Sequence, residues 1–457
     1  MKKLITLVLI LSLVLTLSAC AGGGQQATAA PAEANDTAAA DSAAPASPSV
    51  TQQVKPTAEV HPTAEPRNPE TDCDNRFVSV ETDLIELDDM FLWRGNTDYL
   101  LYYDKAAADT GVLCGKPECM HYDKKSNRDC TGYVGASVYS LSYYEGKIWF
   151  VGEHRENGSS DQFGLYRMEP DGSGKELLFS FNPPEGYAPQ EYRIHRGRLY
   201  LRCATDRVTD GVPGMNLAIV STQLETKDFR VDYEETLPDA NPWSNYMRFI
   251  GDNVYFAYTY DEGRESFTTK VVRIDTNTGE SELILTDGAL TEPLRGFWID
   301  RDGSMFFAQY GYDPDAMLYR SENRGTLEAT APLHDEDGRF STVFVGDGVF
   351  IGIDTAAEDG DENGYEVWLR DFGGNTLYKG PLTTDFLAGT EYESGDIRPS
   401  TMTGDTDCIF WVFTIKNPNA AGGSSPYSRS TCFLVRYKLT ANGLEEQPLI
   451  MADKGGR

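Results

Sequence analysis

From about residue 140 onward one pattern of apolar and polar positions recurs along the chain. It runs as a tight Gly/Asp turn, an aromatic-rich apolar stretch, a polar loop, an alternating stretch, a second turn and a last strand. The turn-plus-strand element reads YYEGKIWFVGEH, IHRGRLYLRCAT, FIGDNVYFAYTY, IDRDGSMFFAQY, FVGDGVFIGIDT and TGDTDCIFWVFT. With Lys147, Arg198, Asn253, Ser304, Val349 and Asp407 as markers, successive intervals are 51, 55, 51, 45 and 58 residues. Regular self-similarity at this length means a repeat architecture. Runs such as IWFV and IFWVF suit strands buried on both faces, whereas the alternation in VVRID or LYRME suits strands nearer a rim. Tips such as DGSG, TNTGE and FGGN supply the positive φ that tight hairpins need. No long helical periodicity is present.

Each unit therefore supplies four strands, and four-stranded units at this spacing are the blades of a propeller. Six are clear, and a weaker seventh precedes them in IELDDMFLWRG, YLLYYDKAAADTG and VLCG. The expected fold is all-β: a seven-bladed antiparallel β-propeller over residues 72–457, preceded by a signal peptide and a disordered tether. Phe77 to Val80 is a candidate closing strand paired to the last blade. An array of β-sandwiches is the competing architecture, but it does not require one unit repeated so evenly.

The start of the chain follows different rules. MKKLITLVLILSLVLTLSAC has two lysines, an apolar run too short for a bilayer core, and small residues at its end, as in a signal peptide. Leu17-Ser18-Ala19-Cys20 resembles the lipobox of bacterial lipoproteins. That resemblance implies cleavage after residue 19 and diacylglycerol on the sulfur of Cys20. Residues 1–19 are then the leader, and 20–71 the lipidated cysteine with an Ala/Pro/Thr-rich tether that has too few large apolar residues to offset the entropy of folding. Localisation is expected to be at a membrane, through the lipid anchor, on the extracytoplasmic side.

Composition narrows the partners. The chain holds 71 acidic and 40 basic residues, net -31. Nucleic acid and anionic headgroups are poor matches for it. A cell-envelope protein or a glycan is the expected ligand. The polar connections between second and third strands (GEHRENGSSDQ, ATDRVTDGVPGM, TYDEGRESFTT, DTAAEDGDENGY, IKNPNAAGGSSPYSRS) open on one face of a propeller, and loops on a rigid scaffold are where binding concentrates. Extension of such loops is also cheap, so length alone does not mark a site.

Three candidate sites lie in this frame. Cys114, Cys119, His121 and Cys130 fall within 17 residues, in the crossover from the first blade to the second. Three thiols and an imidazole could hold zinc, two thiols could form a disulfide, or the thiols could be redox-active. Asp359, Asp361 and Asn363 place oxygens at alternate positions before Gly364, as at the start of a calcium loop. The twelfth position, however, is Arg370 and not glutamate, and an acidic solvated hairpin tip is the alternative. Tyr258, Tyr260, Tyr310 and Tyr312 could stack on sugar rings if they line the central funnel, or pack between blades. Zinc and calcium are accordingly the cofactors to consider.

Known reaction signatures are missing. No G-x-S-x-G, H-E-x-x-H or P-loop is present, and of five histidines one, His61, lies in the tether. The sequence nominates no catalytic residue. Two functional readings remain: a binding or scaffolding module, or a carbohydrate-active hydrolase or lyase with paired acidic residues in the funnel. The lipobox, the tether, the YEGKIWF-type turns and LCGKPECMHYDKKSNRDC after the first blade together resemble propeller lipoproteins of Gram-positive bacteria, similar to TolB-like propellers. The resemblance spans nearly the whole mature chain and implies fold and location, with no assigned reaction.

Overall fold

The computed structural model describes residues 66–453 except 79–82, 96–97, 122–126, 128, 136–139, 155–161, 210–211, 239–240, 262–266, 323–324, 355–363, 394 and 417–429. Within these, seven four-stranded antiparallel sheets follow one another, each in the order first, second, third, fourth strand. Blades 1 to 7 cover residues 84–112, 142–181, 189–238, 241–290, 294–332, 342–382 and 397–453. Among the described residues no helix is long and apolar enough to cross a membrane.

The repeat follows from strand position. Second strands are sealed on both faces: Met305–Gln309 is buried at every position, and Cys408–Lys416 at the first six. Fourth strands, such as Thr376–Leu382, are half exposed and form the rim. Turns between first and second strands are tight. In blades 2 and 3 they are Glu145-Gly146 and Arg196-Gly197, with φ of 48°, 72°, 45° and 76°. Two consecutive left-handed residues match the right-handed twist of the flanking strands.

Seven apolar clusters, one between each pair of neighbouring blades, hold the ring together. The cluster between blades 7 and 1 closes it. There Phe410 packs edge-on against Phe91 at 5.6 Å and Phe77 at 5.5 Å, and Gln447 Nε2 donates to the Tyr103 hydroxyl at 3.1 Å.

The expected closing strand is corrected over its described part, Phe77 and Val78, while residues 79–80 lie outside the described residues. Asn75–Phe77 is a 3₁₀ turn, and blade 7 is completed by the chain's own C-terminal strand, Gly443–Asp453. The physical reason is polarity: Asp72, Asp74, Asn75 and Arg76 find better partners on the face of the first-to-second turns than along a sheet edge. Glu145 N donates to Glu70 O (2.7 Å) and Arg196 N to Thr71 O (2.9 Å). Asn75 exchanges two hydrogen bonds with the Phe249 backbone, at 2.7 and 2.8 Å. Arg76 pairs with Asp405 at 2.8 Å and Glu86 at 3.3 Å. The segment thus bonds to blades 1, 2, 3, 4 and 7 before turning into the axis, where Arg193 Nη2 donates to Phe77 O and Arg248 Nη1 to Val78 O.

Candidate functional site

Above Val78 a cavity of about 290 Å³ lies on the ring axis. Its wall is made by first strands of blades 3 to 7: Pro189–His195, Asn241–Ile250, Leu294–Ile299, Thr342–Gly346 and Ile397–Gly404. Val78, from the segment that precedes blade 1, is also among its lining residues.

The chemistry of this wall departs from that of the chain. Three arginines, Arg202, Arg248 and Arg295, line it, and Glu191 is the one carboxylate among its described lining residues. Both oxygens of Glu191 are committed to arginines, Oε1 to Arg193 at 2.9 Å and Oε2 to Arg202 at 3.1 Å. Arg202, only 1% exposed, also donates through Nη1 to Gln190 Oε1 (2.8 Å) and to Asn245 Oδ1, while its Nη2 has no hydrogen-bond partner. The Nε atoms of Arg248 and Arg295 are likewise buried donors without a partner. Burial pushes the Arg248 guanidinium down to about 10, partly offset by Glu191, so it stays charged at neutral pH. Arg295 stacks over Phe344 at 4.4 Å and Tyr310 at 5.4 Å. Buried cationic donors left over after internal pairing are a costly arrangement, and it is relieved by an anion.

Of the predicted tyrosines, Tyr310 lines this funnel, and Tyr312, 77% exposed, stacks parallel to it at 5.7 Å. Tyr258 and Tyr260 are buried between blades 3 and 4. The Tyr258 hydroxyl is held by Glu235 and by Tyr233 (2.7 Å), so neither ring is presented to a ligand. The funnel's aromatic wall is instead Tyr246, Tyr310 and Phe344. Most glycoside hydrolases pair two facing carboxylates; among the described lining residues of this funnel Glu191 is the one carboxylate.

The cysteine–histidine constellation does assemble. The ligand atoms of Cys114, Cys119, His121 and Cys130 all lie within 4.8 Å of one another. The cluster follows the fourth strand of blade 1, Asp109–Val112, and packs on blade 2: Gly115 N donates to Gly172 O (3.2 Å) in the turn between that blade's third and fourth strands. It therefore sits at the outer rim between two blades and takes no part in the funnel. Burial would raise the Cys114 thiol, but hydrogen bonds to Thr131 and Lys116 bring it down to about 7. Burial and the neighbouring thiols push Cys130 up to about 12. All seven described cysteines are unbridged. Cys203, Cys408 and Cys432 are buried in blade-interface clusters as small apolar residues.

The remaining histidines are tied down. His154 shares a hydrogen bond with the Tyr166 hydroxyl, and Nε2 of His195 and of His334 bonds the carbonyls of Gly251 and Asp313. Asp359, Asp361 and Asn363, the expected calcium ligands, lie outside the described residues. So do Cys20, the leader, the expected tether up to residue 65 and much of the second-to-third loop sequence, whereas residues 66–71, expected in the tether, are described and bond to the ring through Glu70 and Thr71.

No family model and no curated protein matches the chain. Its fold is similar to that of solved structures. The periplasmic gluconolactonase of Pseudomonas aeruginosa aligns over 83% of this chain and 96% of that one, with a TM-score of 0.40 and 13% identity. The β-propeller domain of the Trilobed protease from Pyrococcus furiosus aligns over 80% and 95%, with 0.40 and 9%. An oligogalacturonate lyase from Vibrio parahaemolyticus aligns over 62% and 74%, with 0.39 and 11%. Likeness at this level concerns architecture and nothing else.

Proposed function

We propose that this protein is an extracytoplasmic binding module, held at a membrane through a lipid on Cys20, whose funnel takes an acidic sugar residue from a cell-envelope or extracellular glycan. The observation that carries the reading is the reversal of charge: a chain of net -31 lines its axial cavity with three arginines and one already neutralised glutamate. A guanidinium matches a carboxylate in geometry and charge, and Tyr246 and Tyr310 offer faces for a sugar ring. The cavity volume suits one or two sugar units, and the acidic exterior disfavours long polyanions.

The test uses mature chain with Cys20→Ser, which leaves it unlipidated, on an array of neutral and acidic glycans, followed by calorimetry. Binding confined to uronate- or sialate-bearing glycans, weakened in Arg295→Ala, supports the reading. Equal binding of neutral glycans, or turnover of any glycan, overturns it.

A further inference from the structure

We infer that Cys114, Cys119, His121 and Cys130 form a closed, four-coordinate structural zinc site that orders the crossover between blades 1 and 2. The number and kind of donors come first. Three sulfurs and one imidazole nitrogen converge within 4.8 Å, which is the Cys₃His set of structural zinc, with no position left open for water. A disulfide would engage two of these groups and leave a third thiol and an imidazole aimed at the same point without purpose.

The distances agree. Cys130 Sγ lies 3.5 Å from His121 Nδ1. Two ligands at about 2.3 Å and about 2.0 Å from a tetrahedral ion are separated by about 3.5 Å, so this edge needs no rearrangement to accept the metal. The sulfurs are also oriented from outside. Thr131 Oγ1 lies 3.4 Å from Cys114 Sγ, and Asn127 Nδ2 lies 3.7 Å from Cys119 Sγ while also bonding Met120 O at 3.1 Å. Donors to sulfur stabilise thiolate and fix its direction, as outer-shell groups do in metal sites.

Charge closes the account. Zinc with three thiolates carries one net negative charge, and Lys175, on the facing hairpin of blade 2, lies within electrostatic reach of Cys130 and Cys114. Its ammonium bonds Tyr133 O and packs over Phe150 and Tyr166 at 5.4 and 5.2 Å. The crossover itself has little apolar content with which to offset the backbone entropy of about 1–2 kcal/mol per residue that ordering costs. A cross-link is what its composition demands, and Cys119 and Cys114 pack on the cluster that closes the ring.

The experiment is metal analysis of the unlipidated mature chain purified without chelator. The expected result is about one zinc per chain, lost in Cys119→Ser and in His121→Ala and retained in Cys203→Ser. X-ray absorption on the wild-type protein should find three sulfurs at about 2.3 Å and one nitrogen at about 2.0 Å, a readout that stands even if the ligand variants fail to fold. Cobalt(II) exchange should yield the sulfur-to-metal charge-transfer band of a thiolate site. A metal-free protein with a disulfide among these cysteines overturns the inference. So does a folded, metal-free protein with all three thiols open to alkylation, or one that binds iron or copper in preference to zinc.

Discussion

Arg193 and Asp83 meet at 3.0 Å although 110 residues separate them, and both side chains are almost wholly buried, at 2% and 3% exposure. Asp83 also accepts from Leu141 N (2.9 Å), Ser140 N (3.0 Å) and Arg94 Nη1 (3.3 Å), while Arg193 bonds Glu191 and the Phe77 carbonyl. This one pair joins blade 3, the entry to blades 1 and 2, and the axial segment. Asp83→Asn leaves a buried guanidinium short of its counter-charge. The expected loss is about 3–5 kcal/mol in urea unfolding, and the double variant Asp83→Leu, Arg193→Met should recover part of it.

His195 is the pH-sensitive joint of the axial segment. Its Nδ1 accepts from Cys73 N at 3.1 Å and its Nε2 donates to Gly251 O at 2.7 Å, an arrangement that requires the neutral ring. Burial depresses it to about 4 despite Asp72 and Asp252 nearby, with Arg196 adding to the depression. A folded-state value below the ordinary 6.5 means the unfolded chain binds the proton first, so stability falls as pH drops from about 6.5 to about 4. At about 1.4 kcal/mol per pH unit this is about 3 kcal/mol. Asp300, raised to about 6 by burial, acts in the opposite sense over much of the same window. The comparison with His195→Gln therefore isolates the histidine: wild type should lose about 3 kcal/mol more than the variant between pH 7 and pH 4, and equal losses would contradict the assignment.

Arg295 is the funnel arginine least bound into the fold, half-buried and stacked on Tyr310 and Phe344. Removing a charge-assisted hydrogen bond costs about 1.5–3 kcal/mol. Arg295→Ala should therefore weaken binding of an acidic glycan by about 10- to 100-fold in calorimetry, with an unchanged melting temperature. Arg295→Lys should restore part of the affinity, since charge returns without the planar fork.

Truncation tests the axial segment itself. A chain starting at residue 66 should melt like the mature protein, because the described bonds to the ring begin with Glu70 and Thr71. One starting at residue 82 loses the buried side chains of Phe77 and Val78, each worth about 1.5–3 kcal/mol, and uncovers Arg193 and Arg248. Its urea midpoint should drop accordingly, and anion binding at the axis should weaken with the loss of Val78 from the cavity wall.

The blades were legible because each marker marks the same event. Lys147, Arg198, Asn253 and Val349 open second strands, and Ser304 and Asp407 immediately precede them. A turn needing positive φ followed by a strand buried on both faces is a local demand, repeated in local sequence. The axial arginines were not legible, since each looks like an isolated polar interruption: YLRC for Arg202, YMRFI for Arg248 and LRGF for Arg295 in the funnel, and YRIH for Arg193 beside it. A signal did exist, because Arg193 and Arg248 stand two residues before the end of equivalent first strands. The thiol cluster was visible from residue density, but its place at the rim depends on the hairpin of the next blade. Tyr258 and Tyr260 were misleading because a tyrosine beside a loop looks the same whether its hydroxyl meets solvent or, as with Tyr258 here, a half-buried Glu235.

The bond between Arg76 and Asp405 spans 329 residues. Such a contact is available only after nearly the whole chain has been made, and long-range contacts carry the slowest ordering in folding. Neighbouring blades can pair as they emerge, each burying its apolar face on the last. Residues 67–78 can meet blades 1 to 4 as these form, but the bond to Asp405 waits until blade 7 stands beside blade 1. The segment that opens the described chain is thus the last to be locked, and a protease cutting there distinguishes finished rings from open ones.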